Sequence, residues 1–170
     1  KAYQAGIETG NFQFGGMAIA KRSEYFYFIG NNLSAVQLEM ETASHALATM
    51  KQENTWTWNQ AFLQAVLNLL GDSETPWQLI GKAYNETESI PLTLTANDRM
   101  ALHLVYLNKL ILCYLFDRIP EAVENTALAE SYLDGVPGCL DEYIWNFYNS
   151  LIQLTHYSYV NICVQETILE

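Results

Sequence analysis

Between Asp98 and Tyr132 the chain reads DRMALHLVYLNKLILCYLFDRIPEAVENTALAESY, and this stretch decides the fold. From Ala101 to Phe116 only His103, Asn108 and Lys109 interrupt the apolar residues, so a helix formed here needs cover on nearly every side and sits among neighbours. The run is shorter than the roughly 20 apolar residues that cross a bilayer core, and Lys109 falls near its middle, which argues against a membrane span. Phe116-Asp117-Arg118-Ile119-Pro120 then reads as a tight turn. Asp117 is expected to cap the next helix, Pro120 to occupy its first turn where a missing N–H costs nothing, and Glu121 and Glu124 to lie near its positive dipole end. Along that second helix Ala122, Thr126, Ala129 and Leu133 recur at spacings of four, three and four, a narrow face that lets another helix approach closely. Asp134-Gly135 is expected to stop it, with Gly135 in the left-handed C′ conformation.

Working outward, the same punctuation divides the rest of the chain. A short helix over 1–9 closes at Gly10-Asn11, and a second from Phe12 to Ile29 closes at Gly30-Asn31-Asn32. Ser34 as N-cap, Gln37 at N3, and Leu33 with Leu38 as a staple predict a third helix to about Lys51. Asn54 is expected to cap a fourth through Leu70, with Phe62, Ala65, Val66 and Leu69 on one face and Gly71 as its stop. Thr75-Pro76-Trp77-Gln78 repeats the start logic and predicts a helix to about Glu88. Pro91 then ends it, and Leu92 to Leu94 reads as linker. Beyond Pro137-Gly138 a helix is expected through about Thr155, with Ile144, Phe147, Tyr148, Leu151 and Leu154 at helical spacing, and a last one from near Ser158.

No strand pattern is convincing, so the fold class is all-α, with short loops making sequential helices antiparallel neighbours. Three joints share a design: Gly10-Asn11-Phe12 followed by Ala18, Leu70-Gly71-Asp72 followed by Ala83, and Phe116-Asp117-Arg118 followed by Ala122. Helix pairs recurring at this spacing predict antiparallel hairpins stacked as a tetratricopeptide-like α-solenoid over 1–170, a single helical-repeat segment. The opening residues already read as the end of a helix and the closing ones as a helix without a stop, as expected for a fragment of a longer protein.

Half of the 170 residues are hydrophobic, 13% are aromatic and 16% charged, and the formal net charge is −11. That charge repels phosphate backbones and anionic lipid, which argues against nucleic-acid partners and peripheral membrane attachment. Cys113, Cys139 and Cys163 are odd in number and far apart, indicating neither a disulfide framework nor zinc, and a reducing, cytoplasmic location is expected.

Candidate chemistry is sparse. Glu41 and His45 share a helix face but lack a third ligand, so they read as a hydrogen-bonded surface pair, not a metal site. His103, four residues after Arg99, and His156, among aromatics, read as packed histidines. Gly15-Gly16 and Gly10 form no phosphate loop, and no serine sits in a nucleophile elbow. The carboxylate neighbours Asp141-Glu142 and Glu39 with Glu41 read as solvated helix faces. Tyr25-Phe26-Tyr27-Phe28, Trp56 with Trp58, and Trp145-Phe147-Tyr148 exceed what one face can hide, because consecutive residues lie about 100° apart; core and inter-repeat packing is favoured over a peptide-binding groove. No catalytic, cofactor-binding or metal residue and no cofactor is assigned.

The strings QAVLNLLG at 64–71, YLNKLILCYLF at 106–116, YLDGV at 132–136 and FYNSL at 147–151 resemble the helical region of the very large cyanobacterial multi-domain sensor kinases. That resemblance extends from Gly6 to about Leu154. Members carry a Ser/Thr kinase domain, a P-loop ATPase module, a tetratricopeptide-like stretch, a GAF domain and a histidine kinase. It implies a non-catalytic scaffold relaying signals through contacts with neighbouring domains or a protein partner. The alternative is a helical effector domain holding a small molecule in its aromatic interior.

Overall fold

The computed structural model describes residues 1–157. Among them are eight α-helices, a 3-10 turn and one isolated antiparallel bridge, Ile80 to Asn85, so the all-helical expectation holds. The helix expected from near Ser158, and Cys163, lie outside the described residues. The chain forms two compact units, Lys1–Ser89 and Ile90–Glu170.

The first unit holds α1 (Ala2–Glu8), α2 (Phe12–Phe28), α3 (Leu33–Thr49) and α4 (Glu53–Leu69). Helices α1 and α2 pack together, as do α2 and α3, α3 and α4, and α2 and α4. The α1–α2 crossing depends on glycine: a Cβ on Gly6 would stand 2.7 Å from the Gly15 backbone. Gly15-Gly16 is therefore a helix crossing, where absent side chains allow close approach. Ile19, Ala20, Ala43 and Leu47 fill the space between α2 and α3. At the far end of α2, Tyr27 and Phe28 set their rings against Phe62 of α4, at 6.2 and 5.8 Å between centroids.

Asn59 ties three helices. Its Nδ2 donates to the Met40 carbonyl at 2.8 Å and to the Ser44 hydroxyl at 2.9 Å, while its Oδ1 accepts from Ser23 Oγ at 2.9 Å. Residues 61 to 68 of α4 are buried without interruption. That run includes Gln64 and Asn68, whose amides reach out of the helix to the loop that follows.

This loop corrects the expected helix at Thr75. Residues 72–85 form turns, because Asn68 Nδ2 donates to the carbonyls of Pro76 and Gln78 at 3.0 and 2.6 Å, and Gln64 Oε1 accepts from the amides of Ala83 and Tyr84 at 2.9 and 3.2 Å. Leu79 and Glu86 close the loop, the Leu79 amide donating to the Glu86 carboxylate at 2.8 Å. Backbone groups that a helix would pair internally are taken by side chains of α4. The joint at Gly71 thus opens a loop, unlike the joint at Gly10. Helix α5 (Glu86–Ala96) starts where the expected one was to end and runs through Pro91, so Leu92 to Leu94 is helical and not linker. Pro91 deprives the Thr87 carbonyl of a partner, but Thr87 is exposed and water can replace it.

The second unit contains α6 (Arg99–Leu115), α7 (Ile119–Glu130), the 3-10 turn Leu133–Gly135 and α8 (Leu140–Tyr157). Helix α6 is buried all round from Ala101 to Cys113 except at Lys109, as its apolar run predicts. It packs on α7, α8 and the 3-10 turn, and α7 packs on α8. Ala122, Thr126 and Ala129 are buried as expected, while Leu133 lies beyond the end of α7.

Local starts and stops differ in detail. Asn32, not Ser34, caps α3 and accepts from the Ser34 amide; Leu38 is exposed, so no staple forms. Gln52, not Asn54, occupies the N-cap of α4. Asp117 ends α6 at φ +57°, and Arg118 takes the N-cap of α7, so Asp117 does not cap. Gly135 is not left-handed. Its hydrogen is needed because a Cβ there would meet the Arg99 and Met100 backbone at 2.7 Å.

Helix α8 buries a different face from the one expected. Asp141, Trp145 and Ile152 point inward, whereas Phe147 and Leu154 are 58% and 66% exposed and Ile144, Tyr148 and Leu151 lie half-buried. The Trp145 indole donates to the Thr126 carbonyl at 3.2 Å, which sets the rotation of the helix. A sequence stripe counts apolar residues and misses an aspartate inside.

Leu107 and Ala129 are fully buried. Leu107→Ala is expected to cost about 2–5 kcal/mol as a cavity and Ala129→Leu about 1–3 kcal/mol as overpacking, read by urea unfolding against the exposed control Glu124→Ala. Equal midpoints would overturn the packing described. For the loop clamp, Gln64→Leu strands the buried Tyr84 amide at roughly 1–3 kcal/mol and releases the half-buried Ala83 amide, and is expected to make 72–85 the first site of proteolytic nicking. Unchanged cleavage would show that the amides do not hold the loop.

Candidate functional site

The polar residues of the described chain divide into those consumed by structure and those left facing a cleft. His103 belongs to the first group: it is fully buried, and its Nδ1 lies 2.9 Å from the Ala129 carbonyl. A carbonyl only accepts, so Nδ1 carries the proton and caps the last turn of α7. Arg99, one turn earlier on α6, donates to the Ser131 carbonyl at 2.6 Å and to the Asp134 carboxylate at 2.7 and 2.9 Å. Its guanidinium also lies 5.1 Å from the Tyr132 ring centre, and Tyr132 stacks on Tyr106. Asp134 is held below the usual aspartate range by the Arg99 hydrogen bonds, and Arg99 is raised in return. The spacing of Arg99 and His103 thus serves the α7 C-terminus, where positive charge meets the negative end of the helix dipole.

The other sequence candidates stay apart. Glu41 accepts from Gln37 at 2.8 Å, and no hydrogen bond joins it to His45, which is exposed, so the expected pair does not form. Glu39 pairs with Arg22 at 3.1 Å. Asp141, expected on a solvated face, is fully buried in the first turn of α8, while Glu142 accepts from the Gly138 amide at 3.1 Å. Cys113 is buried beside Asn125, His156 is half-buried, and no group of three metal-capable side chains occurs among the described residues.

A cleft of about 460 Å³ opens beside the start of α4. Gln13 and Met17 of α2 form one wall; Lys51, Gln52, Glu53, Asn54, Thr55 and Trp58 form the rest. A smaller cleft shares Lys51, Gln52 and Glu53 with it and is lined also by Leu47, Ala48 and Trp56, so Trp56 and Trp58 line different spaces. Gly16 lets the Gln52 side chain settle on α2, since a Cβ there would stand 3.1 Å from it. Gln52 then spends its amide on the Met50 carbonyl and offers α4 no side-chain cap.

Three consequences follow at the cleft. The amides of Glu53, Asn54 and Thr55 make no hydrogen bond among the described residues, so the positive end of a 17-residue helix faces the opening. Thr55 is 5% exposed, and its hydroxyl likewise makes no hydrogen bond there. Lys51 is exposed, forms no ion pair among the described residues, and has φ +55°, a conformation that Gly10, Gly30, Gly71 and Gly138 adopt elsewhere in the chain.

Family models, curated proteins and solved structures were compared with the chain, and none matches it.

A lysine in the left-handed region carries steric strain that glycine lacks. Lys51→Gly is expected to raise stability by roughly 0.5–1 kcal/mol after the glycine's greater unfolded-state freedom is subtracted. A fall in the urea midpoint would show that the lysine side chain contributes packing that outweighs its backbone strain.

Proposed function

We propose that this chain is a non-catalytic helical-repeat scaffold, its hairpins stacked as a tetratricopeptide-like α-solenoid, that relays signals by protein contact within a cytoplasmic multi-domain sensor kinase. The observation that carries this reading is the outer face of α8. Tyr143, Phe147 and Leu154 are 65%, 58% and 66% exposed. At about 100° per residue they lie on the side opposite Asp141, Trp145 and Ile152. A helix apolar on both sides has one face for its own core and one for a partner, and aromatic residues grouped on a surface are what protein interfaces use as anchors. The spending of buried polar groups on backbone, by Gln64, Asn68, Asn59, His103 and Trp145, supports a structural role for them. No helix among the described residues is long and apolar enough to cross a membrane.

In the full-length chain that contains this segment, Phe147→Asp combined with Leu154→Asp is expected to lower signal-dependent autophosphorylation by about tenfold, the scale of losing anchor contacts. Circular dichroism of the variant should keep its helix signal. Unchanged phosphorylation, or flanking coding sequence without a kinase domain, would overturn the proposal.

A further inference from the structure

We propose that the outer face of α8 pairs with the same face of a second copy of this chain, the two helices antiparallel, with Tyr143 packing on the partner's Leu154 and Phe147 lying over the partner's Ser150. The inference rests on the proposed reading of this face as a contact surface, and it names the occupant.

Tyr143, Phe147, Ser150 and Leu154 form the exposed stripe of the helix. Spacings of four, three and four confine them to about 60° of arc at 100° per residue, opposite Asp141, Trp145 and Ile152. This is heptad spacing, the pattern by which two helices run side by side. It also reads the same in both directions. A two-fold axis passing between Tyr148 and Asn149 therefore sets Tyr143 against the partner's Leu154 and Phe147 against the partner's Ser150, and each contact occurs twice. A two-fold contact requires a patch complementary to itself. The stripe meets that requirement, because its central phenyl ring falls over its one small residue. A parallel pair would set ring on ring at Phe147 and leave a gap at Ser150.

Charge selects the occupant. At a net charge of −11, two copies repel each other in general. From Tyr143 to Tyr157, however, the sequence contains no Asp, Glu, Lys or Arg, and Asn146 and Gln153 beside the stripe are neutral. A strongly charged partner would lose hydration against this face and gain no opposite charge in return. A second neutral stripe loses nothing of the kind. The same register sets Glu142 opposite the partner's Thr155, which keeps like charges apart. With three large side chains from each copy, the pairing belongs among weak interfaces.

The test is sedimentation equilibrium of the chain from micromolar concentration to about 1 mM. Reversible association to twice the monomer mass is expected. Phe147→Asp is expected to weaken it about tenfold, and so is Ser150→Arg, which fills the gap at an exposed position; circular dichroism should show both variants folded. Tyr143→Lys and Leu154→Glu read the register. Each alone weakens the pairing, and an equimolar mixture of the two chains at low salt is expected to associate about fivefold more tightly than either, because in the antiparallel dimer the new ammonium meets the new carboxylate while the other end keeps its native contact. A chain that stays monomeric throughout, association unchanged by Phe147→Asp or Ser150→Arg, or a mixture no tighter than its components would each overturn the pairing. None of these results touches the reading of α8 as a contact surface, which stands or falls on phosphorylation of the full-length chain.

Discussion

Burying an amide side chain obliges the fold to satisfy it, and in the first unit that obligation falls on α4. Asn59, Gln64 and Asn68 lie inside, where an unmade hydrogen bond is expensive. Asn59 discharges its share by joining α2 and α3 to α4, and Gln64 and Asn68 do so by holding the backbone of 76–84. The loop consequently has a defined path without a helix or sheet of its own. Its conformation is written in α4 as much as in its own residues.

The second unit meets the same obligation with charge and ring stacking. Helix α6 is covered on nearly all sides, so its polar residues must find partners within reach; His103 and Arg99 find them at the end of α7, where carbonyls lack intrahelical donors. Tyr132 and Asp134 complete the arrangement around Arg99. Gly135 is the steric condition for it, because the 3-10 turn passes so close to the first residues of α6 that a methyl group would collide with backbone.

The helix starts spend fewer side chains than the helix interiors do. The starts of α2, α3 and α6 use Asn11, Asn32 and Asp98 to satisfy first-turn amides, whereas α1, α4 and α7 have no side-chain cap, and at α4 the Gln52 amide is turned to the Met50 carbonyl. The outer stripe of α8 is apolar surface that the core of the described residues leaves exposed.

Helix content, the covered character of α6, the small face of α7 and most breaks were legible in the sequence, because periodicity, glycine and proline act locally. Of the cleft residues the sequence marked Asn54 as a cap and Trp58 as an aromatic to be packed, and their convergence with Gln13 and Met17 was not visible. Which face of α8 turns inward, whether Thr75 starts a helix, and that Gly6, Gly15 and Gly135 serve crossings were decided only by tertiary structure. The physical reason is the same in each case. Groups from other elements, whether the Thr126 backbone carbonyl accepting from the Trp145 indole, the Gln64 and Asn68 side chains taking loop groups, or a backbone passing close to a glycine, compete with local preference and outweigh it once buried. Sequence determined that this chain forms helices with apolar faces; packing determined which polar groups were used up and which were left to meet something else.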